Sequence, residues 1–393
     1  MKNVRSGALH FEAKRYLPDG VSMPSWSFEP YPNYIQAGRG PYVTDVDGND
    51  LIDYRMGSGA LILGHARREV TEAVKQQLEL GAVFDAPTEK ELKMAKLIGR
   101  SFPSMEMMRF CGSEAEAKVR GVRVAQSYTG RKKVMSIGGA LPSDMSSTVP
   151  VPFNDLDTAD DLMRQDEGGF AAVALEPLAT INGLSLPAEG YLQGIRDIAT
   201  DHGALLMFDE TTTGFRLAKG GAQQFYRVVP DITVLGRTAG GGLPFGAFGA
   251  SREVMTTRHA GRRSCDAFAG NPLSLAAGIE TLRIIGKEGH DDTNARGEEL
   301  RKGIESVINE LHLGFHFVGE GSMFQLFLAN RSFSAEIDAG NCDLDRYAEL
   351  SSMLMNKGVC LTSSQFGTNF LSTSHDRSVI ERTVDIFTEA LLG

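Results

Sequence analysis

The sequence is poor in cysteine, in long apolar runs and in positive charge, and each shortage excludes something. Only 4 cysteines occur in 393 residues. Cys111, Cys265, Cys342 and Cys360 show neither a CxxC pair nor zinc-ligand spacing, which argues against a disulfide framework or a zinc motif and predicts buried thiols in a reducing compartment. No apolar run approaches the roughly 18 residues a membrane span needs. Met1-Lys2-Asn3-Val4-Arg5 carries no apolar leader core, so a cytoplasmic location is expected. With 40 Lys and Arg against 50 Asp and Glu, the net charge of -10 gives no global attraction for nucleic acid or an anionic membrane. Internal repeats, low-complexity tracts and a Pro/Gly/Ser linker are also missing. What is present, 42% hydrophobic and 23% charged residues, suits a globular protein of two to three domains of about 150 residues each.

Residues 1–40 lack periodicity and read as a segment that wraps over other structure. Val70, Ala73, Val74 and Leu78 then fall on one helical stripe. Thr88 with Glu91, and Ser113 with Glu116, have the spacing of capping boxes, so helices are expected to open at both places. Ala171–Leu175, Ala204–Phe208 and Ile232–Leu235 are short, wholly apolar runs, the pattern of parallel strands buried on both faces. They end on Glu176-Pro177, Asp209-Glu210 and Gly236-Arg237, which puts polar groups at the carboxyl ends where open α/β sheets bind ligands. A helix is expected after Asn271-Pro272. Amphipathic helices over Thr293–Leu311 and Ser378–Leu391 mark a C-terminal α+β domain.

The order of motifs resembles the class III aminotransferases of fold type I, which are pyridoxal-phosphate (PLP) enzymes, and among them the glutamate-1-semialdehyde aminomutase group. The resemblance runs through Leu63-Gly64-His65, Ala86-Pro87-Thr88-Glu89, Phe208-Asp209-Glu210, Thr213-Gly214-Phe215-Arg216, Gly240-Gly241-Gly242-Leu243-Pro244 and Gly270-Asn271-Pro272. It implies an α/β fold: a large domain with a mostly parallel sheet over residues 46–285, and a small α+β domain formed by both termini, residues 1–45 and 286–393. It also implies a homodimer acting on a small molecule.

Position by position, the cofactor residues of the family are largely replaced. Its Schiff-base lysine corresponds to Arg237, whose guanidinium stays protonated and is a poor nucleophile. Its phosphate-binding Ser-Gly-Thr corresponds to Ser113-Glu114-Ala115. A carboxylate there suits the helix dipole but repels a phosphate, unless Glu114 turns outward. The ring-stacking aromatic and its histidine neighbour correspond to Leu141-Pro142-Ser143, and the partner-subunit threonine to Ala267. Only Asp209, the expected partner of the cofactor's ring nitrogen, is kept. On the substrate side, an arginine, a tryptophan and a glutamate of the aminomutases correspond to Trp26, Ser58 and Gly367.

The leading expectation is therefore an enzyme that has reused the cleft without PLP, for a small anionic metabolite. Asp209, Glu210, Arg237 and Glu114 are its catalytic candidates, Trp26, Ser58 and Arg237 its substrate contacts, and no cofactor or metal is expected. Two alternatives stay open: a non-catalytic ligand-binding or interaction scaffold, and an enzyme using pyridoxamine phosphate or PLP without a lysine.

Overall fold

The computed structural model describes residues 3–26, 28, 30–142, 145–257, 267–329 and 342–392. Ser143 and Cys265 lie outside the described residues. The chain opens with α1 (Val4–Ala13), an antiparallel meander of β1 (Ile35–Arg39), β2 (Tyr42–Asp45) and β3 (Asp50–Asp53), and helices α2 (Arg68–Leu80) and α3 (Glu89–Ser101). Strand and helix then alternate: β4 (Met107–Cys111), α4 (Glu114–Thr129), β5 (Lys133–Ile137), β6 (Thr148–Val151), α5 (Leu156–Gln165), β7 (Phe170–Leu175), α6 (Tyr191–Asp201) and β8 (Leu205–Glu210). After α7 (Gly221–Phe225) come β9 (Ile232–Leu235), β10 (Gly246–Ala250), α8 (Arg252–Met255) and α9 (Pro272–Glu288). The C-terminal part holds α10 (Asp291–Glu310), β11 (Phe315–Glu320), β12 (Met323–Leu328), α11 (Leu344–Asn356), β13 (Val359–Cys360), β14 (Asn369–Phe370) and α12 (Arg377–Leu392).

Two compact units result, residues 1–67 with 291–393, and residues 68–290. The boundaries differ from the 45/46 and 285/286 suggested by the sequence. The first moves because β3, after its hairpin with β2, pairs in parallel with β13 through Ile52↔Val359 and Asp53↔Cys360. Neither strand's own pattern names such a distant partner. The second moves because α9 runs on to Glu288 and His290 is held by a 3.0 Å bond from its Nε2 to the Phe215 carbonyl.

The 68–290 unit is built on a seven-stranded sheet in the order β4-β10-β9-β8-β7-β5-β6, in which β10 alone runs antiparallel to its neighbours. The three apolar runs are its middle strands, and β7 and β9 are buried at every position. Both faces of the sheet are covered. On one, Val122 and Ala125 of α4 pack with Ile232 and Val234; on the other, Ile195 and Ala199 of α6 pack with Leu206 and Phe208. The valine, isoleucine, leucine and phenylalanine side chains among them contribute about 1.5–3 kcal/mol each by leaving water. Ser113 caps α4 as expected, its Oγ accepting from the Glu116 N–H at 3.3 Å, and the Asn271 side chain caps α9.

The other unit carries the four-stranded sheet β1-β2-β3-β13 and the three-stranded sheet β11-β12-β14, with Leu300, Phe324, Leu350 and Phe387 in one core. Two expectations fail here and one in the larger unit. Residues 1–40 include α1, because Asp47 accepts from the Arg5 and Ser6 N–H groups and the Ser6 hydroxyl, a cap supplied from some forty residues away. Cys342 is half-buried, although Cys111 and Cys360 are buried thiols. The apolar stripe of α2 is not core: Leu78 is 59% exposed and Gln77 is the helix's only buried residue.

Candidate functional site

The carboxyl ends of β7, β8 and β9 bring three charged groups to one edge of the sheet, and the first turns of α4 bring two more. Glu176 follows β7, Asp209 lies in β8, and Arg237 begins the 3-10 turn after β9. Glu114 and Lys118 stand four residues apart on α4, so one helical face carries both.

The central contact is an ion pair of 2.5 Å between Lys118 Nζ and Asp209 Oδ2, with the Asp209 side chain 1% exposed. The other Asp209 oxygen accepts from the Thr211 N–H at 3.1 Å. Burial pulls the Lys118 ammonium toward a lower pKa. The carboxylates of Asp209, Glu176 and Glu114 outweigh that and hold it above the usual lysine value. Lys118 is thus a fixed cation.

Glu176 is buried beside this pair. Its Oε2 accepts from the Thr180 N–H at 2.6 Å and the Thr180 hydroxyl at 2.8 Å. Burial, reinforced by the negative charge of Asp209, raises its pKa to about 7 against the pull of Lys118, Arg237 and Thr180. A carboxyl so placed takes up and releases a proton near neutrality.

Arg237 donates through Nε to Glu114 Oε2 at 3.3 Å. Its backbone has φ +38°, which an L-residue adopts only where the surroundings impose it. Gly236 makes the close approach possible, since a Cβ there would sit 3.0 Å from both the Cβ and Oε2 of Glu114. Glu114 is therefore turned toward Arg237, with its side chain still 36% exposed. Arg216, 1% exposed, is pulled down to about 9 by burial and by the nearby Arg237 charge.

Of the residues singled out in the sequence, Glu114, Asp209 and Arg237 come together and Glu210 does not. Alternate residues of a strand face opposite sides, so Glu210 points away from Asp209. Its Oε2 accepts from the Thr213 hydroxyl and the Ala222 N–H, and its Oε1 from the N–H and side-chain amide of Gln223. It anchors the loop before α7 and leaves the catalytic set. Leu141 is buried in the α4-side core. Ala267 is exposed. Trp26, half exposed in a 3-10 turn, Ser58, at φ +55°, and Gly367, packed against Thr362, belong to the other unit.

Sequence reasoning missed Lys118 and used Glu176 only as a strand-end marker. The signal for Lys118 was its spacing from Glu114. Among the described residues no group of three or more His, Cys, Asp or Glu side chains is arranged to hold a metal, and no helix is long and apolar enough to cross a membrane.

This α/β architecture, with its charged strand-end edge, is the fold of the type I PLP aminotransferases. The class III aminotransferase family model matches residues 26–151 and 152–389, and the chain belongs to that family. A glutamate-1-semialdehyde 2,1-aminomutase of Methanothrix thermoacetophila is 39% identical, over 99% of this chain and 96% of that protein. An omega-transaminase of Sphaerobacter thermophilus has a TM-score of 0.90 at 30% identity, covering 98% of this chain and 97% of that one. A transaminase solved with PLP bound also has a TM-score of 0.90, at 27% identity, covering 100% of this chain and 98% of that one.

Proposed function

We propose that this chain is a class III aminotransferase relative whose strand-end cleft works without PLP, performing acid–base chemistry on a small anionic metabolite. The observation that carries this reading is the buried Lys118–Asp209 pair. In the family that carboxylate pairs with the cofactor's ring nitrogen, and here an ammonium of the same chain already occupies it. A pyridinium reaching Asp209 would have to displace Lys118 and leave two cations together in a buried site.

Two further features support the reading. Arg237 has no readily lost proton with which to become a Schiff-base nucleophile. Glu114, held toward Arg237 at the first turn of α4, puts a negative charge where the family holds a phosphate. The residues present therefore do not suit PLP, although relatives such as the transaminase above bind it. In their place, Glu176 carries a proton at a pKa of about 7, Lys118 and Asp209 fix the local charge, and Arg237 is positioned to hold a carboxylate or phosphate of the substrate.

The scaffold reading keeps one observation in its favour. Asp209 with Lys118, and Glu114 with Arg237, are already matched inside the chain, as a non-catalytic pocket would also have them. We further propose a cytoplasmic homodimer, supported by the exposed apolar side chains of Leu78, Leu80, Val83 and Phe84.

The test is the absorption spectrum of the purified protein with and without added PLP, followed by borohydride reduction. No stoichiometric cofactor band and no reduced adduct are expected, with or without Arg237→Lys. A stoichiometric band, or transamination recovered by Arg237→Lys, would overturn the proposal. Small molecules released on denaturation and tested for turnover separate enzyme from scaffold.

A further inference from the structure

A cavity of about 190 Å3 opens within the 68–290 unit, between the last turns of α3 and α9 and the loop 215–219, and the functional reading above makes no use of it. Its floor is apolar, made by Leu97, Phe215, Leu282 and Ile285, and its charged lining is entirely basic: Arg100, Lys219, Arg283 and Lys287, joined by His290. No carboxylate lines it, in a chain whose net charge is -10.

Two ordinary explanations account for part of that charge. Arg283 is matched by Glu280 through a 2.9 Å contact and also feels Glu69. Arg100 and Lys287 lie in the last turns of their helices, where a cation complements the dipole. Each helix end offers only about half a negative charge, so the two together offset roughly one. Arg100, Lys219 and Lys287 make no ion pair among the described residues. Setting three unmatched cations against one opposing charge leaves an excess of about two positive charges around a single small cavity.

The loop that brings Lys219 there is held in place. Phe215 has φ +57°, is 3% exposed, and packs edge-on against Phe102 at 4.9 Å between ring centroids. Its carbonyl accepts from His290 Nε2, a buried donor committed to this loop. A left-handed, non-glycine residue clamped by a buried histidine marks a conformation that the surroundings impose. Its effect is to set the basic wall of the cavity.

We propose that this cavity binds a small oxyanion carrying two negative charges, through Arg100, Lys219 and Lys287. The volume corresponds to about six water-sized groups, enough for a phosphate, a phosphomonoester end or a short dicarboxylate but not for a nucleotide. Arg100, Lys219 and Lys287 are themselves exposed, so the attraction is open to screening by salt.

Isothermal titration calorimetry on the full chain at low ionic strength tests this, with inorganic phosphate in one arm and malonate in the other. One saturable site per chain is expected, weakened by added KCl as screening requires. Lys219→Ala with Lys287→Ala should weaken binding at least about tenfold. Lys219→Arg with Lys287→Arg should retain it, which separates loss of charge from loss of fold. Tighter phosphate assigns the site to phosphoryl groups, and tighter malonate to dicarboxylates. No saturable binding of either anion at about 10 mM, or equal binding by the double alanine variant, would overturn the proposal.

Discussion

Lys118 and Asp209 define the chemistry of the cleft because each makes the other's charge tolerable. Removing one member of a buried pair strands the other, at a cost of about 3–5 kcal/mol. Lys118→Met should therefore lower the free energy of urea unfolding by that much. Combining it with Asp209→Leu should cost much less than the two single changes added together. Additive losses would show that the pair is not coupled. Glu176 supplies the pH dependence. Its native pKa of about 7 lies above the ordinary 4.5, so the folded chain holds the proton more tightly. The resulting stability is fully present below pH 4.5 and is lost as pH rises through about 7, on the order of 3 kcal/mol in all. Glu176→Gln, which keeps an acceptor for Thr180, should flatten that slope in urea titrations at about pH 5 and pH 8. Of this site, Glu114, Asp209 and Arg237 were legible from the motifs that frame them. Lys118 was not, because no motif frames it and it meets Asp209 only once α4 packs on the sheet.

At the scale of elements, the strands and helices around the cleft were readable because local rules govern them. Buried parallel strands are apolar throughout, and α4 and α9 carry capping side chains at Ser113 and Asn271. Elements set by distant partners were not: α1 depends on Asp47, and the last residues of β8 include the acidic pair that the sequence places beyond the strand. What positions Arg237 is likewise a contact between elements. Gly278 of α9 lies against the 3-10 turn Arg237–Gly240, and a Cβ there would come within 2.1 Å of the Ala239 carbonyl oxygen. Gly278→Ala should push the turn away from α9, destabilise the chain by about 1–3 kcal/mol and disturb the Arg237–Glu114 contact. Chemical denaturation and a crystal structure of the variant would check both effects. An unchanged midpoint would mean that the turn has slack.

For the whole molecule, the apolar residues at and just beyond the end of α2 matter more outside than inside. Leu80 is 72% exposed and Phe84 48%, so neither supports the core of its own chain. If they cover a second copy, Leu80→Glu with Phe84→Glu should convert a species of twice the chain mass into a monomer in sedimentation velocity, with the circular dichroism spectrum unchanged. A wild-type monomer would contradict the proposed dimer.

The parallel pairing of β3 with β13 also has a consequence in time. Synthesis at about 5–20 residues per second separates Ile52 from Val359 by roughly 15–60 s. In the last part of that interval, once His290 has been made, residues 68–290 have everything their sheet requires, while the edge of β3 still waits unpaired. The larger unit is thus free to fold on the ribosome as an insertion, and the smaller one closes only after the C-terminal strand emerges. A nascent chain stalled just short of Val359 would carry both a finished cleft and an open strand edge, the kind of surface that chaperones bind and that invites mispairing.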